Sequence, residues 1–402
     1  MALEYRVPAE DELRGSLDAA ATAFGEHVDD DNFERYRQIF PLDRVLTAFD
    51  DGTPVGLTLS VPFELTVPGD FVGAAGVTFV GVSPTHRRRG ILTTLMQRQL
   101  QDVHERGEPV AILWASEPAI YGRYGYGIAA PVAAIECDRA GFAFRGDDVP
   151  RGAIRLVSEE AAGELFPPLY ERVRRSRPGM ISRSDEWWKL QRLGDPEEGR
   201  QGAGPKFYVV LELDGEPAGY AMYRIRGRWE QGFPHGQVLV VEAIAPTWKA
   251  ERELWRFLFA IDLTEKVSLF PFDPASPLFL DVVDARRLRL TMADGLWLRL
   301  VDVEAALRKR AFDDGEPVVL DVRDALVPQN EGRYRVGDGV ERTDEQPELR
   351  LSVADLASAY LGAFAFAELH RAGSVEELRP GALEAADRLF RTPQRPWCAE
   401  VF

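Results

Sequence analysis

Cysteine is nearly absent: Cys137 and Cys398 are the only two in 402 residues. They are too few for a disulfide framework and lack metal-ligand spacing. His27, His86, His104, His235 and His370 are scattered and never form an H-x-x-x-H pair, so no structural zinc is expected and no metal is assigned. Lysine is confined to Lys189, Lys206, Lys249, Lys266 and Lys309, which leaves the basic charge almost entirely to arginine. No apolar run approaches the length of a membrane span. The opening MALEYRVPAEDELRG also lacks the basic-then-apolar layout of a signal peptide. A cytoplasmic protein without membrane attachment is the expectation. Positive charge is in deficit, since 65 acidic residues face 48 basic ones and the net charge is −17. Such a surface repels nucleic acid and anionic lipid and favours cationic partners; it also serves solubility alone.

The apolar fraction of 45% is that of a globular protein, and the length predicts two to three domains. The most informative stretch is VTFVGVSPTHRRRGIL at 77–92. Val77, Phe79, Val80 and Val82 are β-branched or aromatic, as a buried strand requires, and Pro84 ends that strand. From Gly90 a helix is predicted, with Leu92, Leu95, Met96, Leu100 and Val103 on one face. A helix start carries unpaired N–H groups and partial positive charge. Glycine there lets an anion reach the backbone, and Arg87, Arg88 and Arg89 add charge. The pattern suits a pyrophosphate; a plain solvated basic turn is the alternative.

The chain also repeats itself. DGTPVGLTLS at 51–60 is echoed by DGEPAGYAMY at 214–223, each an Asp-Gly hairpin turn entering a strand. About the same distance downstream, GVSPTHRRRGILTTL at 81–95 is echoed by EAIAPTWKAERELWR at 242–256. Two copies of one α/β unit follow. Aligned this way, the second copy has Lys249-Ala250-Glu251-Arg252-Glu253 where the first has its arginine-glycine turn. Arg252 in place of Gly90 would crowd a phosphate, and Glu251 and Glu253 would repel it. Only the first copy is expected to bind one.

Beyond Asp294-Gly295 a third pattern begins. LWLRLVDVEAALRKRAF at 296–312 reads as a strand and then a helix capped by Asp302. VVLDVRD at 318–324 and ELRLSV at 348–353 read as strands, and DLASAYLGAF and PGALEAADRLF as helices. The apolar ending Trp397-Cys398-Ala399-Glu400-Val401-Phe402 points to a C-terminus tucked into the fold.

Arg87-Arg88-Arg89-Gly90-Ile91-Leu92 resembles motif A of the GNAT acetyltransferase superfamily, Q/R-x-x-G-x-G/A, departing from it at Leu92, where a small residue is usual. That departure implies non-standard packing around the last turn of the loop. PVAILWASEPAIYGRYGYG at 109–127 is similar to the superfamily's splayed strand, loop and short helix ending in Tyr-x-x-x-Gly-Phe/Tyr. With the degenerate second unit, the sterol-carrier-like third unit and the C-terminal phenylalanine, the whole chain resembles the Eis (enhanced intracellular survival) acetyltransferases. The resemblance implies a mixed α/β, α+β class. Two tandem GNAT folds span 1–150 (catalytic) and 151–293 (degenerate), and a sterol-carrier-like α+β domain with a buried C-terminus spans 294–402. It implies acetyl-CoA as cosubstrate and primary amines as acceptors: aminoglycosides, polyamines, or lysine ε-amines including those of peptides. It also implies a homohexamer.

Residue roles follow from the same resemblance. Val80, Gly81 and Val82 pair with the pantetheine arm. The turn from Arg88 through Gly90, Ile91 and Leu92 to Thr93 holds the pyrophosphate, and Ser116 and Glu117 flank the cofactor. Tyr121 is the general acid for the departing thiolate; a phenol near 10 can protonate a thiolate whose acid is near 8.5. Tyr124 and Tyr126 pack. The general base is the C-terminal carboxylate of Phe402. Against an ammonium near 10.4, a carboxyl near 3.5 faces an uphill transfer of roughly 9 kcal/mol. It therefore needs a raised pKa, a water relay or a free-amine substrate. Phe24, Glu26, Phe33, Tyr36 and Phe40 mix aromatic faces with a carboxylate, as a cationic amine pocket would, and helical core packing accounts for the aromatics equally well. The resemblance implies Glu26 at an acidic position of the pocket and Tyr36 and Phe79 at aromatic ones. Glu400 is a further candidate carboxylate. Two other functions compete: a lipid or sterol carrier, and a non-catalytic acetyl-CoA sensor, the latter disfavoured by Tyr121.

Overall fold

The computed structural model describes residues 3–146, 152–200 and 202–402. The expected boundary between the first two domains, at 150/151, lies outside them. The chain forms two compact units that are not contiguous in sequence. Unit 1 comprises residues up to Ala130, Leu296–Pro396 and Phe402; unit 2 comprises Pro131–Gly295 and Trp397–Val401.

Unit 1 opens with β1 (Leu3–Arg6), α1 (Leu13–Ala21) and α2 (Asp30–Ile39), followed by β2 (Val45–Asp50), β3 (Thr53–Val67) and β4 (Asp70–Val82). Next come α3 (Ile91–Glu105), β5 (Val110–Trp114) and the single-turn α4 (Pro118–Tyr121). The strands lie in the order β1-β2-β3-β4-β5, antiparallel except for the parallel pair β4–β5. The far side of β5 pairs antiparallel with the Thr291–Leu300 strand, from Leu296↔Trp114 to Leu300↔Val110. Asp51 and Gly52 have φ of 49° and 79°, as a two-residue turn matched to the twist of its strands demands. α3 buries Ile91, Leu95, Met96, Gln99, Leu100 and Val103.

The rest of unit 1 is a five-stranded sheet with helices. Asp302 caps the Val303–Lys309 helix by accepting from the N–H of Ala305 at 2.9 Å. Strands at Val318–Arg323 and Leu349–Ser352, and helices at Val353–Tyr360 and Ala382–Leu389, stand where the pattern predicts them. A buried network joins the two parts of this unit. Arg299 donates to Asp324 at 2.5 Å, and Asn330 donates to the carbonyls of Leu300 and Val301 and to Asp324.

Unit 2 repeats the five-strand plan with Ala153–Val157, Phe207–Leu213, Glu216–Arg226, Gly236–Ile244 and Thr264–Phe272, the last two again parallel. Asp214 and Gly215 (φ 53° and 83°) repeat the hairpin turn. Its sixth strand is the Gly127–Asp138 strand from Pro131 onward, antiparallel to Thr264–Phe272.

The repeat differs from the sequence alignment at one place. The second helix, Trp248–Ala260, starts directly after Pro246-Thr247, and Thr247 caps it by accepting from the N–H of Ala250. Lys249 to Glu253 are therefore interior to a helix, and Arg252 is paired with Asp281 at 2.6 Å. The second copy has no arginine-glycine turn at all, because its helix begins about a turn and a half earlier, where the Thr247 hydroxyl accepts from the N–H of Ala250.

Candidate functional site

β4 and β5 pair only from Ala74↔Val110 to Gly76↔Ile112. Past Gly76 no other strand among the described residues takes that side of β4. Its other side pairs with β3, where Leu57↔Gly81 and Leu59↔Thr78 leave Phe79 and Val80 opposite Thr58 alone. This is a β-bulge, and Phe79 sits in it at φ 52°. A non-glycine residue there costs about 1–3 kcal/mol, so the surrounding packing must hold it. Tyr36 and Phe40 do so, with ring centroids 5.0 and 5.4 Å from Phe79. The bulge re-aims Val80, Gly81 and Val82 just where the strands part.

After β4 the chain turns over Pro84–His86 and enters α3 through Gly90 at φ 80°, with nothing within 4 Å of where a Cβ would stand. The first N–H groups of α3, at Ile91, Leu92 and Thr93, have no helical acceptor. The three arginines behave differently. Arg87 donates to the carbonyl of Ala23 at 3.0 Å, and Arg89 to Asp50 at 3.0 Å. Arg88, itself at φ 64°, has no partner among the described residues. Leu92, the departure from the motif, is half-buried and packs against the core on both sides of α3, so its bulk is absorbed beneath the turn.

On the other arm, Ser116 and Glu117 are exposed and lead into α4. Tyr121, at its end, is 5% exposed. Burial pushes its phenol up to about 12, a hydrogen bond with Ser116 works the other way, and Glu117 adds to the rise. Tyr126 stands edge-on to Tyr121 at 6.0 Å, fully buried, and Tyr124 places its hydroxyl 3.4 Å from that of Thr93. All three tyrosines line one core cluster.

Beside the bulge lies a cavity of about 310 Å³ lined by Phe24, Glu26, His27, Asn32, Tyr36 and Phe79, among others. Phe33 is not part of it and instead lies under the guanidinium of Arg14, 5.3 Å away. The Phe402 ring rests 5.2 Å from that of Phe63. A Cβ on Gly76 would come within 2.3 Å of Phe63 and 3.2 Å of Phe402, so only glycine leaves room for both rings where β4 and β5 part.

Comparison with known proteins places these features in a family. Residues 4–129 and 179–300 each match the model of an acetyltransferase (GNAT) domain, and residues 303–399 that of a sterol carrier protein domain. An uncharacterized N-acetyltransferase of Streptomyces avermitilis is 40% identical over 418 residues, covering 100% of both chains. N-acetyltransferase Eis of Mycobacterium tuberculosis is 34% identical over 401 residues, covering 95% of this chain and 92% of its own. The chain belongs to the Eis family of GNAT N-acetyltransferases. The crystal structure of Eis1 from Mycobacterium abscessus superimposes with a TM-score of 0.87 at 36% identity, covering 100% of both chains.

GNAT acetyltransferases use acetyl-CoA, and the donors in this Eis-type chain fit it. Free N–H groups at the start of α3 and Arg88, without a partner among the described residues, suit phosphate, and the edge of β4 that no described strand takes suits an amide-bearing arm. Among the described residues, no group of histidine, cysteine and carboxylate side chains could hold a metal, and no helix is long and apolar enough to cross a membrane.

Glu400 lies in unit 2, 1% exposed, where two guanidiniums engage it: Arg183 at 2.5 Å and Arg192 at 3.2 Å. Both arginines also bind Glu242, which accepts from Tyr220 at 2.6 Å, and Arg183 stacks on Tyr170 and Trp188. The Glu400 carboxylate is thus held within this buried cluster. Burial alone would raise Glu242, yet Arg183 and Arg192 hold its carboxyl down at about 2, from 4.5. Its contribution to stability is complete above about pH 4.5 and is lost as pH falls toward 2. Arg183→Met leaves two buried carboxylates short of a partner and is expected to cost about 3–5 kcal/mol. Urea unfolding followed by tryptophan fluorescence measures this; a loss under about 1 kcal/mol contradicts it.

Sequence reasoning missed the bulge at Phe79 and the roles of His27, Asn32 and Thr78 in the cavity wall. Phe79 belongs to a run that reads as a regular strand, and nothing local marks it as the residue with reversed φ.

Proposed function

We propose that this protein transfers acetyl from acetyl-CoA directly to the primary amine of a small cationic acceptor: an aminoglycoside, a polyamine or a lysine ε-amine, free or in a peptide. The observation that carries this reading is the parting of β4 from β5 after Gly76, beside a glycine-opened helix start whose Arg88 has no partner among the described residues. In this proposal Val80, Gly81 and Val82 receive the pantetheine arm, the turn from Arg87 to Thr93 receives the pyrophosphate, and Ser116 and Glu117 flank the thioester. Phe24, Glu26, Tyr36 and Phe79 receive the acceptor, Glu26 supplying charge and the rings supplying cation–π faces. Phe33 and Glu400 are left out, since their side chains have other partners. The acceptor amine attacks the thioester carbonyl, the Phe402 carboxylate takes its proton directly or through water, and Tyr121 donates to the departing sulfur.

The proposal assigns residues 1–150 to the catalytic domain, 151–293 to a degenerate GNAT-like domain and 294–402 to the sterol-carrier-like domain. It takes the working form to be a cytoplasmic homohexamer, on resemblance to the family. A lipid-carrying role for the third domain is disfavoured by the cavity found there, whose wall includes Arg308, Arg310, Asp313, Asp314 and Asp338.

The test is incubation with acetyl-CoA and a panel of aminoglycosides, polyamines and lysine peptides, following free thiol and the mass of the products. Amine-dependent thiol release with a product heavier by one acetyl group is expected. Acetyl-CoA binding without thiol release would instead indicate a sensor.

A further inference from the structure

Asp50 closes β2 and is 7% exposed, directly beneath the arginine-glycine turn. Its Oδ2 accepts from Arg89 Nη1 at 3.0 Å and lies 3.3 Å from His86 Nε2. The other ring nitrogen of His86 is 2.8 Å from Thr85 Oγ1, which orients the imidazole toward the carboxylate. We propose that Asp50 is a positioning residue for acetyl-CoA: it grips the turn at His86 and Arg89 and so holds Arg88 and the Gly90 backbone in phosphate-binding form. The inference rests on the acetyl-CoA reading of that turn.

Three observations support it. First, the grip brackets the strained residue. Arg88 has φ 64° and Gly90 φ 80°, and a non-glycine residue in the left-handed region persists only where its surroundings over-determine it. Second, the grip sorts the arginines. With Arg87 on the carbonyl of Ala23 and Arg89 on Asp50, Arg88 alone of the three has no partner among the described residues. Third, left-handed residues alternating with ordinary ones turn successive N–H groups toward one side, a concavity that binds anions.

The opposing effect is charge. A carboxylate under a phosphate site repels it, and if that effect dominated, a neutral residue at position 50 would tighten binding. Arg89 offsets the charge of Asp50 locally, so the geometric effect should win.

The experiment compares Asp50→Asn with the parent enzyme on two donors: acetyl-CoA, and acetyl-pantetheine, which lacks the phosphates. KM for acetyl-CoA should rise about tenfold, the loss of one charge-assisted hydrogen bond. The turnover number should stay within about twofold, with acetyl-pantetheine kinetics unchanged, because loss of hold on a phosphate site leaves a phosphate-free donor untouched. An equal loss on both donors, no change on either, or a lower KM for acetyl-CoA would overturn the proposal. Asp50→Ser removes the same two contacts with a smaller neutral side chain, so it tests the grip even if Asp50→Asn does not fold. It should reproduce the donor-selective loss, and in an Arg89→Gln background, where the contact is already broken, neither Asp50 variant should add a further loss. A parent enzyme indifferent to the phosphates, using both donors equally, would refute the underlying reading of the turn instead.

Discussion

Tyr121→Phe is expected to lower the turnover number by about 10²- to 10³-fold and leave the KM for acetyl-CoA within about twofold. The substitution keeps the ring that packs against Tyr126 and removes only the hydroxyl, so folding should be unaffected. The size of the effect follows from where the proton sits. Burial pushes the phenol up to about 12, while a thiol lies near 8.5. Complete transfer to a free thiolate would be uphill by roughly 5 kcal/mol at 1.36 kcal/mol per pKa unit. In the proposed mechanism Tyr121 therefore acts as a hydrogen-bond donor to sulfur as negative charge develops, with the proton following as the C–S bond breaks. The sign for pH dependence is clear. A raised phenol remains protonated throughout the neutral and mildly alkaline range, so the rate should show no alkaline fall from Tyr121 below about pH 11. A falling limb near pH 8–9 that disappears in Tyr121→Phe would contradict this assignment, as would full activity of the variant.

Adding two glycines after Phe402 is the second large perturbation. It converts the Phe402 carboxylate into a neutral peptide carbonyl and leaves the ring free to stay on Phe63. The turnover number is expected to fall by about 10²-fold or more with unchanged acetyl-CoA binding, the range of a lost general base. Phe402→Ala makes the complementary change, keeping a carboxylate and losing the ring, and should be the milder of the two. Because an α-carboxyl near 3.5 cannot readily deprotonate an ammonium near 10.4, both parent and extended enzymes should speed up as pH rises and free amine accumulates. The extended enzyme should simply lie lower at every pH. An extended protein with parental turnover would remove Phe402 from the mechanism.

The legible parts of this chain are those written in short-range pattern. Alternating β-branched residues before Pro84, the apolar stripe of α3, Asp302 as a cap and the paired Asp-Gly turns each depend on neighbours within a few positions. The helix at Trp248–Ala260 shows where such reading slips. Aligning Arg252 with Gly90 respected sequence spacing, but a helix starts where its first N–H groups find an acceptor, and Thr247 supplied one early. The two compact units were not legible either. Leu296–Leu300 pairs with β5, and strand partners chosen across some 180 residues leave no mark in local periodicity.

From sequence alone came the arginine-glycine turn, the duplication and a third α+β unit, because local sterics and hydrophobic spacing encode them; the role expected of Tyr121 came from the resemblance to the GNAT motif. Tertiary structure decided what those residues are free to do. It reversed φ at Phe79 through the rings of Tyr36 and Phe40, and by tying down Arg87 and Arg89 left Arg88 as the one arginine of the turn without a partner among the described residues. It raised Tyr121 by burial and enclosed Glu400 between Arg183 and Arg192. The availability and proton affinity of a side chain depend on the groups packed around it, and in a folded chain many of those groups come from distant parts of the sequence.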